Sequence, residues 1–398
     1  MIFGRSILST FLMIETVKLS EGNLFGKIHR PVVLSDTVQR DHDVFVNKEI
    51  WNLAEDHIRA MMVNRDDPHG SNVPCSSPSA VWLQKQTSLV ATDDLEKMLR
   101  WNLYIVPFAY KLYIANPVLY SQEYFGFDGE YTHEIREIYD EAQDFWSGSG
   151  VFDEVHLLAA HGSDLSDREK LIPTLELLFE GSYDKDFTVD DHADEIQELI
   201  SRLPGGYEFP LLTFNAFATD EMGDDIDPSI IIGDGYFQFQ KDSRNESEGP
   251  EYALTHEFAH HVMNAMGLSL EDYKKEELMA DAFAAYFLAN NSGGDMTGEE
   301  ISNIHRVAYS VGDCGISDEL HHGTPKERKC ATVWGADFAD SKEGRKLNAR
   351  ELYARFNTWF SDIDSLDNEC LPQSSSSVTR NISAIISLML LVPWLLAW

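Results

Sequence analysis

The segment with the clearest chemical pattern is Thr255-His-Glu-Phe-Ala-His-His261. His256 and His260 are four residues apart, so on a helix both imidazoles project from one face and can bind the same metal ion. Glu257 lies beside the first histidine, where its carboxylate can take a proton from a metal-activated water. Because a catalytic zinc keeps three protein ligands and one water, this pattern requires a third ligand elsewhere in the chain.

A second segment, residues 274–286, supplies a candidate for that ligand. Glu277 and Asp281 are also four residues apart, and Glu277 follows His260 by 17 residues, which leaves room for a turn and a second helix. We expect Glu277 to complete a site for one Zn²⁺ per chain. We expect Asp281 to accept the free N–H of a ligand histidine, which fixes the tautomer of that ring. The small apolar residues around both carboxylates predict a buried helix instead of a solvated acidic face.

H-E-x-x-H followed by E-x-x-A-D resembles the gluzincin class of zinc metallopeptidases, and more narrowly the CAAX prenyl proteases and heat-shock membrane proteases. The resemblance spans about residues 215–334. It implies hydrolysis of peptide bonds in a peptide or protein substrate, with Glu257 as general base and then general acid. The multiple membrane spans of the prenyl proteases are absent from this sequence, so the resemblance does not extend to their selection of substrates.

Similar chains carry an Asn-Ala-Phe-Ala segment on an edge strand over the cleft. By this resemblance, we expect Asn215, Ala216 and Phe217 to contact the substrate. An edge strand offers unpaired backbone groups, which can hold a peptide in an extended form. The expected fold class is α+β: a mainly helical metallopeptidase domain with a small sheet whose edge strand borders the active-site cleft.

Similar chains also carry a late histidine, followed by an arginine, over the metal site. The matching segment here is His321-His-Gly-Thr-Pro-Lys-Glu-Arg328. By resemblance, His322 is expected to stabilise the oxyanion of the tetrahedral intermediate, and Arg328 to orient Asp281 or the substrate. By chemistry alone His321 is an equal candidate, and the segment also fits a turn that caps a helix.

Two other functions are also consistent with these residues. A di-iron carboxylate oxidase would use two E-x-x-H pairs on a helical bundle, Glu257 with His260 and Glu319 with His322. That hypothesis needs another inward-facing glutamate upstream and gives His256 no role. A catalytically inactive surface binding protein is the non-enzymatic alternative. The intact Glu257 argues against it, because a protein without turnover has no chemical need for that base.

Apolar periodicity indicates which elements position these residues. It predicts helices at residues 94–101, 132–146, 168–179 and 190–203, strands at 209–214 and 229–232, and further helices from 250 almost to 362. These elements belong to a metallopeptidase domain at 93–363, whose core motifs occupy 215–334. A region of mixed helical and strand pattern, residues 19–92, precedes this domain.

Both ends of the chain carry apolar segments. Residues 382–398 are almost wholly apolar and follow a serine-rich linker at 364–381, which predicts a C-terminal anchor or a lipid-anchor signal. Residues 1–18 fit a weak secretory signal, with one arginine before a short apolar stretch. Together they predict membrane attachment on the extracellular face or in the secretory pathway. Sequons at Asn245 and Asn290 permit glycosylation on that route.

The amino-acid composition limits the kinds of molecule that this protein is expected to bind. Aspartate and glutamate number 67 against 31 lysines and arginines, a net charge of -36 over 398 residues. This argues against a nucleic-acid partner, because phosphates would be repelled over most of the surface. Four cysteines in a secreted chain suit two disulfides, which we expect to be Cys314–Cys330 and Cys75–Cys370.

Overall fold

The structure is a computed structural model that describes residues 77–115, 123–149, 155–219, 227–245, 247–268, 272–314, 321–341 and 347–361, together with residues 363 and 370. The helices in this part of the chain are α1 Pro78–Thr87, α2 Thr92–Arg100, α3 Val106–Ala109, α4 Thr132–Trp146, α5 Arg168–Leu178, α6 Val189–Arg202, α7 Asp234–Asp242, α8 Glu248–Ala265, α9 Tyr273–Leu288, α10 Glu299–Val311, α11 Pro325–Asp340 and α12 Ala349–Phe360. The strands are β1 His156–Ala160, β2 Ala216–Thr219 and β3 Ser229–Gly233. The expected α+β class is confirmed at this level, because the described residues are mainly helical and carry one small sheet.

The sheet places β3 between β1 and β2. Strand β1 is parallel to β3, with His156 opposite Ser229. Strand β2 is antiparallel to β3, with Ala216 opposite Ile232. All five residues of β3 are buried, which explains why this central strand is a continuous apolar run without alternation. Strand β2 forms one edge of the sheet among the described residues.

The predicted strand at 209–214 is wrong. Residues Pro210–Leu212 form a single 3-10 turn, and the strand begins later, at Ala216. Proline has no N–H to donate to a strand ladder, so an apolar run that contains it is a poor strand. Helix α1 and strand β1 have no counterpart among the predicted elements, because short apolar runs lack the periodicity on which the prediction depends.

Helix α9 lies at the centre of the largest hydrophobic core. Every residue from Glu276 to Leu288 is buried, and both α8 and α11 pack against this helix. Gly335 of α11 lies against the backbone of Ala282, where a β-carbon would come within 2.1 Å of the carbonyl oxygen. Small residues therefore allow α11 to approach α9 closely. The expectation that this second helix is buried is confirmed.

Both predicted disulfide pairings are wrong. Cys330 of α11 is bonded to Cys370, and Cys314 is also part of a disulfide. The prediction had paired Cys314 with Cys330 and Cys75 with Cys370. The observed bond joins two buried positions that the packing of the helices brings within 4.9 Å, measured between the α-carbons. Spacing along the sequence carries no information on such proximity. Cys75 lies outside the described residues.

The terminal segments at 1–18 and 382–398 lie outside the described residues, as do most of the region 19–92 and most of the linker 364–381. In the part of the chain that the structure describes, no helix has both the length and the apolar character needed to cross a membrane. Even α8, with 18 residues, carries ionisable side chains along its length. The predicted membrane-attached localisation is corrected accordingly, since no described element supports it.

Candidate metal centre

Helix α8 carries the first part of the candidate site. Its first turn contains Glu248, an acidic residue of the kind favoured at the positive end of the helix dipole. His256, Glu257 and His260 lie further along the helix, with only 5%, 6% and 1% of their surfaces exposed. The Nε2 atoms of the two histidines are 3.3 Å apart. The expectation that both imidazoles project from one helical face is therefore confirmed.

Helix α9 brings the third donor to the same place. Asp272 caps this helix by accepting a hydrogen bond from the backbone N–H of Lys275. In the next turn, Oε2 of Glu277 lies 3.3 Å from Nε2 of His256, and Oε1 lies 3.5 Å from Nε2 of His260. Among the described residues, these three side chains form the group whose donor atoms all lie within 4.8 Å of one another and could hold a metal ion.

The spacing of the donor atoms fits zinc. Zinc lies about 2.0–2.2 Å from nitrogen and oxygen ligands, so the ligand atoms of a tetrahedral site are about 3.3–3.6 Å from one another. The two histidine nitrogens are 3.3 Å apart, and they lie 3.3 and 3.5 Å from the two different oxygens of Glu277. Two imidazoles and one carboxylate leave one of four positions for water or substrate, which is typical of a catalytic zinc. The residues present therefore fit this ion.

Asp281 orients His256 by contacting the ring nitrogen that faces away from Glu277. Its Oδ1 lies 2.9 Å from Nδ1 of His256, so Asp281 can hold a ring proton on Nδ1 while Nε2, which faces Glu277, binds a metal ion. The guanidinium of Arg328 donates to both oxygens of Asp281, at 2.7 and 2.9 Å. The hydroxyl of Tyr252 donates to the same carboxylate. Arg328 was expected to orient either Asp281 or the substrate. Its hydrogen bonds in the structure are those needed to orient Asp281.

Burial and charge oppose each other at these side chains. Burial raises the pKa of Asp281, but the Arg328 guanidinium and His256 outweigh it, so this pKa is below its usual value. Burial lowers the pKa of His256, but hydrogen bonds to Asp281 and Glu277 outweigh it and raise this pKa to about 10. Contacts with His256 and His260 hold the pKa of Glu277 well below its usual range in spite of burial. In the metal-free protein the carboxylates therefore favour a proton on His256, and a metal ion would displace that proton on binding.

Glu257 is buried beside the ligands but is not one of the three converging donors. Burial raises the pKa of its carboxyl above the usual value, which makes the carboxylate a stronger base. The di-iron alternative requires Glu257 as a ligand and leaves out His256. The converging group instead includes His256 and leaves out Glu257. Glu319, the other carboxylate of that alternative, lies outside the described residues.

The two histidines before α11 have different surroundings. Nδ1 of His321 lies 2.5 Å from Asp313, and its Nε2 lies 3.7 Å from Glu327. Burial lowers the pKa of His321, but these two carboxylates outweigh it and raise this pKa to about 9. Nε2 of His322 instead lies 2.9 Å from the hydroxyl of Tyr273, on the helix that carries the third metal ligand. Of the two equal candidates, His322 is therefore the one that contacts a residue of α9.

The segment expected to hold a substrate lies at the start of β2. Asn215 and Ala216 are partly exposed, whereas Phe217 is 6% exposed and packs its ring 5.3 Å from that of Phe108. The side chain of Phe217 thus belongs to the core, and only its backbone is suited to contact a peptide. Helix α8 packs on this strand and on β3, where His261 bonds the carbonyl of Ser229 at 3.2 Å.

Sequence reasoning missed two tyrosines and one aspartate. Tyr252 lies four residues before His256, and Tyr273 lies four residues before Glu277, so helical spacing was a signal that could have found both. Asp313, which bonds both histidines before α11, has no such signal. It comes from a loop, and only the folded chain brings it to its partners.

Comparison of the chain with protein-family models, with curated proteins and with solved structures finds no match. The chemistry of the site is therefore inferred from its own geometry.

Proposed function

We propose that this protein is a zinc-dependent peptidase, in which His256, His260 and Glu277 hold the metal. The observation that supports this best is the convergence of their donor atoms at separations of 3.3–3.5 Å in a buried site. Glu257, adjacent to the first ligand, supplies the base that hydrolysis needs. The edge strand β2, packed beside α8, offers backbone groups for an extended peptide.

The residues of the chain have separate roles in this proposal. Zinc, when bound, supplies Lewis acidity to the scissile carbonyl and lowers the pKa of water. Glu257 takes a proton from the attacking water and delivers it to the nitrogen of the leaving amine. Asp281, held by Arg328, keeps the proton of His256 on Nδ1, so that Nε2 remains a ligand. Peptide hydrolysis by this route forms no covalent intermediate with the protein.

The test is cleavage by the full chain, purified with zinc, of casein or a quenched-fluorescence peptide library. We expect cleavage that stops on addition of a zinc chelator and returns when zinc is restored. Glu257→Gln keeps the shape of the side chain and removes the base. It should retain one zinc per chain while kcat falls by at least about 1,000-fold, as expected when the principal proton acceptor is lost.

The matched control is Glu137→Gln, the same substitution at an exposed position on α4. Its activity should equal that of the wild type. A wild type that binds zinc but cleaves no peptide would refute the proposal, as would a Glu257→Gln variant with full activity. Two iron atoms per chain, with oxidase activity, would instead support the di-iron alternative.

A further inference from the structure

The two histidine ligands of the candidate metal centre are held unequally. Nε2 of His260 faces His256 and Glu277, at 3.3 and 3.5 Å. The other ring nitrogen of His260, Nδ1, is buried and has no hydrogen-bond partner in the part of the chain that the structure describes. Nδ1 of His256, by contrast, lies 2.9 Å from Asp281.

A carboxylate faces the unpaired nitrogen of His260. Oε1 of Glu276 lies 3.8 Å from Nδ1, which is longer than a hydrogen bond. Glu276 is only 2% exposed, and among the described residues His260 is its one salt-bridge contact. Each of these two side chains therefore lacks a partner and faces the other. Burial makes that state costly for both, because neither polar group can be hydrated.

Glu276 approaches His260 from the helix that carries the third ligand. It lies in the first turn of α9, immediately before Glu277, whereas Asp281 lies one turn after Glu277. Arg328 donates to both oxygens of Asp281 and fixes that carboxylate in place. In the described part of the chain no side chain holds Glu276 in this way. Its carboxyl group can therefore rotate toward Nδ1 of His260.

Metal binding creates the need for this contact. A neutral imidazole carries one N–H. When Nε2 of His260 is a zinc ligand, that proton is on Nδ1, whichever tautomer the ring has without the metal. A histidine that binds a metal almost always donates its other N–H to a carboxylate, a backbone carbonyl or water. Glu276 is the carboxylate that faces this N–H.

We propose that Glu276 is the positioning residue for His260. In the zinc-bound protein its carboxylate accepts the Nδ1–H of this ligand, so that the separation of 3.8 Å shortens to a hydrogen bond. Glu276 thus has for the second histidine the role that Asp281 has for the first. This inference rests on the zinc ligands of the proposed function and not on the nature of the substrate. Glu276 is not one of the converging donors, so its primary effect is on zinc affinity.

The zinc affinity of the full chain, measured by competition with a fluorescent chelator, tests the proposal. Glu276→Gln keeps an acceptor oxygen and removes the charge, so the affinity should fall by about 10-fold. Glu276→Met keeps the length of the side chain and removes the acceptor, so the loss should reach about 100-fold. The conservative variant thus retains part of the effect. Affinities within about threefold of one another in all three proteins would reject the proposal.

The matched control is Glu248→Gln, the same substitution at another buried carboxylate. Glu248 is 7% exposed, accepts a hydrogen bond from Asn303 at 2.9 Å and lies about 12 Å before His256 along the axis of α8. This variant should keep the zinc affinity of the wild type. An equal loss in Glu248→Gln and Glu276→Gln would reject the proposal, because any buried carboxylate would then have the same effect. Circular dichroism of the metal-free variants ensures that folded proteins are compared.

A second readout detects the hydrogen bond itself. In the zinc-loaded protein with isotope-labelled histidine, NMR should show one Nδ1–H proton for each ligand ring, shifted downfield by its carboxylate. The His256 resonance is recognised by its Overhauser contact with Tyr252, whose ring centroid lies 5.8 Å away. Glu276→Gln should move the His260 resonance upfield and leave the His256 resonance in place. A purely structural role of Glu276 would not move one resonance alone.

The outcomes separate this inference from the function on which it rests. A wild type that binds no zinc rejects both. A wild type that binds zinc but cleaves no peptide rejects the peptidase, and the zinc affinities of the variants still decide the role of Glu276. In a protein that binds zinc, equal affinity of the wild type and Glu276→Met rejects only the role of Glu276. An unchanged His260 resonance in Glu276→Gln does the same.

Discussion

Two buried histidine–aspartate pairs in this protein have almost the same geometry and different surroundings. At the metal centre, Nδ1 of His256 lies 2.9 Å from Asp281. At the ends of the parallel strands β1 and β3, Nδ1 of His161 lies 3.0 Å from both oxygens of Asp234, and each residue is 2% exposed. In both pairs the aspartate lies on Nδ1, so the opposite ring nitrogen, Nε2, is the one that faces other groups.

The two pairs differ in what Nε2 faces. At His256 it faces Glu277 and His260, which come from two helices. At His161 it is buried, with no hydrogen-bond partner among the described residues, and the ring of Tyr124 stacks over the imidazole at 4.0 Å. A histidine–aspartate pair alone therefore does not define a metal centre. A metal centre also requires further ligand atoms that converge on the same side of the histidine ring.

The largest expected effect of this difference is on zinc binding. His260→Ala removes one of three ligands, so zinc affinity should fall by at least about 1,000-fold. His161→Gln, at the other pair, should leave one zinc per chain. Metal content after dialysis against a zinc buffer measures both. Equal loss of zinc in the two variants would mean that the second pair also supports the metal centre.

The next effect is on stability. Asp281→Asn leaves the buried charge of Arg328 without its counter-ion, which should lower the free energy of unfolding by about 3–5 kcal/mol. Asp234→Asn weakens only a hydrogen bond to a histidine, with an expected cost of about 1–3 kcal/mol. Denaturant unfolding of the two variants gives both values. The account would be contradicted if Asp234→Asn were the more damaging substitution.

The pH dependence of stability distinguishes charged from neutral histidines. Burial lowers the pKa of His192 to about 4, against 6.5 for an exposed ring. Because the unfolded chain then binds the proton first, the stability associated with His192 is complete above about pH 6.5 and is lost as the pH falls toward about 4. The stability associated with His256 has the opposite pH dependence in the metal-free protein, because the pKa of this residue is raised.

His192→Phe should therefore lose less stability than the wild type between pH 6.5 and pH 4.5. Denaturant unfolding at the two pH values, with a chelator present, measures this difference. The carboxylates that titrate in the same range are common to both proteins and cancel. Identical pH dependence in the variant and the wild type would show that His192 does not fold as a neutral ring.

The smallest expected effect belongs to Tyr252→Phe. The hydroxyl of Tyr252 donates to Asp281, which also accepts two hydrogen bonds from Arg328. Loss of one of several donors should lower the free energy of unfolding by about 1 kcal/mol and leave one zinc per chain. Thermal unfolding together with metal analysis provides the comparison. Loss of zinc in this variant would mean that Tyr252, and not Arg328, holds Asp281 in place.

The parts of the site that could be predicted from the sequence are those that depend on spacing within one helix. His256 with His260, and Glu277 with Asp281, are pairs four residues apart, and the structure has each pair on one helical face. That the two helices meet was inferred from their composition and from a resemblance. The contact between Arg328 and Asp281 had no basis in spacing, because 47 residues separate them.

The parts that escaped prediction depend on contacts between distant segments. Strand β1 consists of His156 and four apolar residues, and only its pairing with β3 makes it a strand. The bond between Cys330 and Cys370 follows from helix packing, and the partners of Asp313 follow from the closure of a loop. None of these contacts has a local signal in the chain. The prediction of a strand at residues 209–214 overlooked the turn that Pro210 favours.

X-ray absorption at the zinc edge, on the full chain loaded with one equivalent of zinc, tests the central claim most directly. The account predicts a four-coordinate ion with nitrogen and oxygen neighbours at about 2.0–2.2 Å and the scattering pattern of two imidazoles. Glu277→Ala should abolish that signal, because it removes the carboxylate that joins the two histidines. A sulfur shell, a site without imidazole, or an unchanged spectrum in the variant would contradict the account.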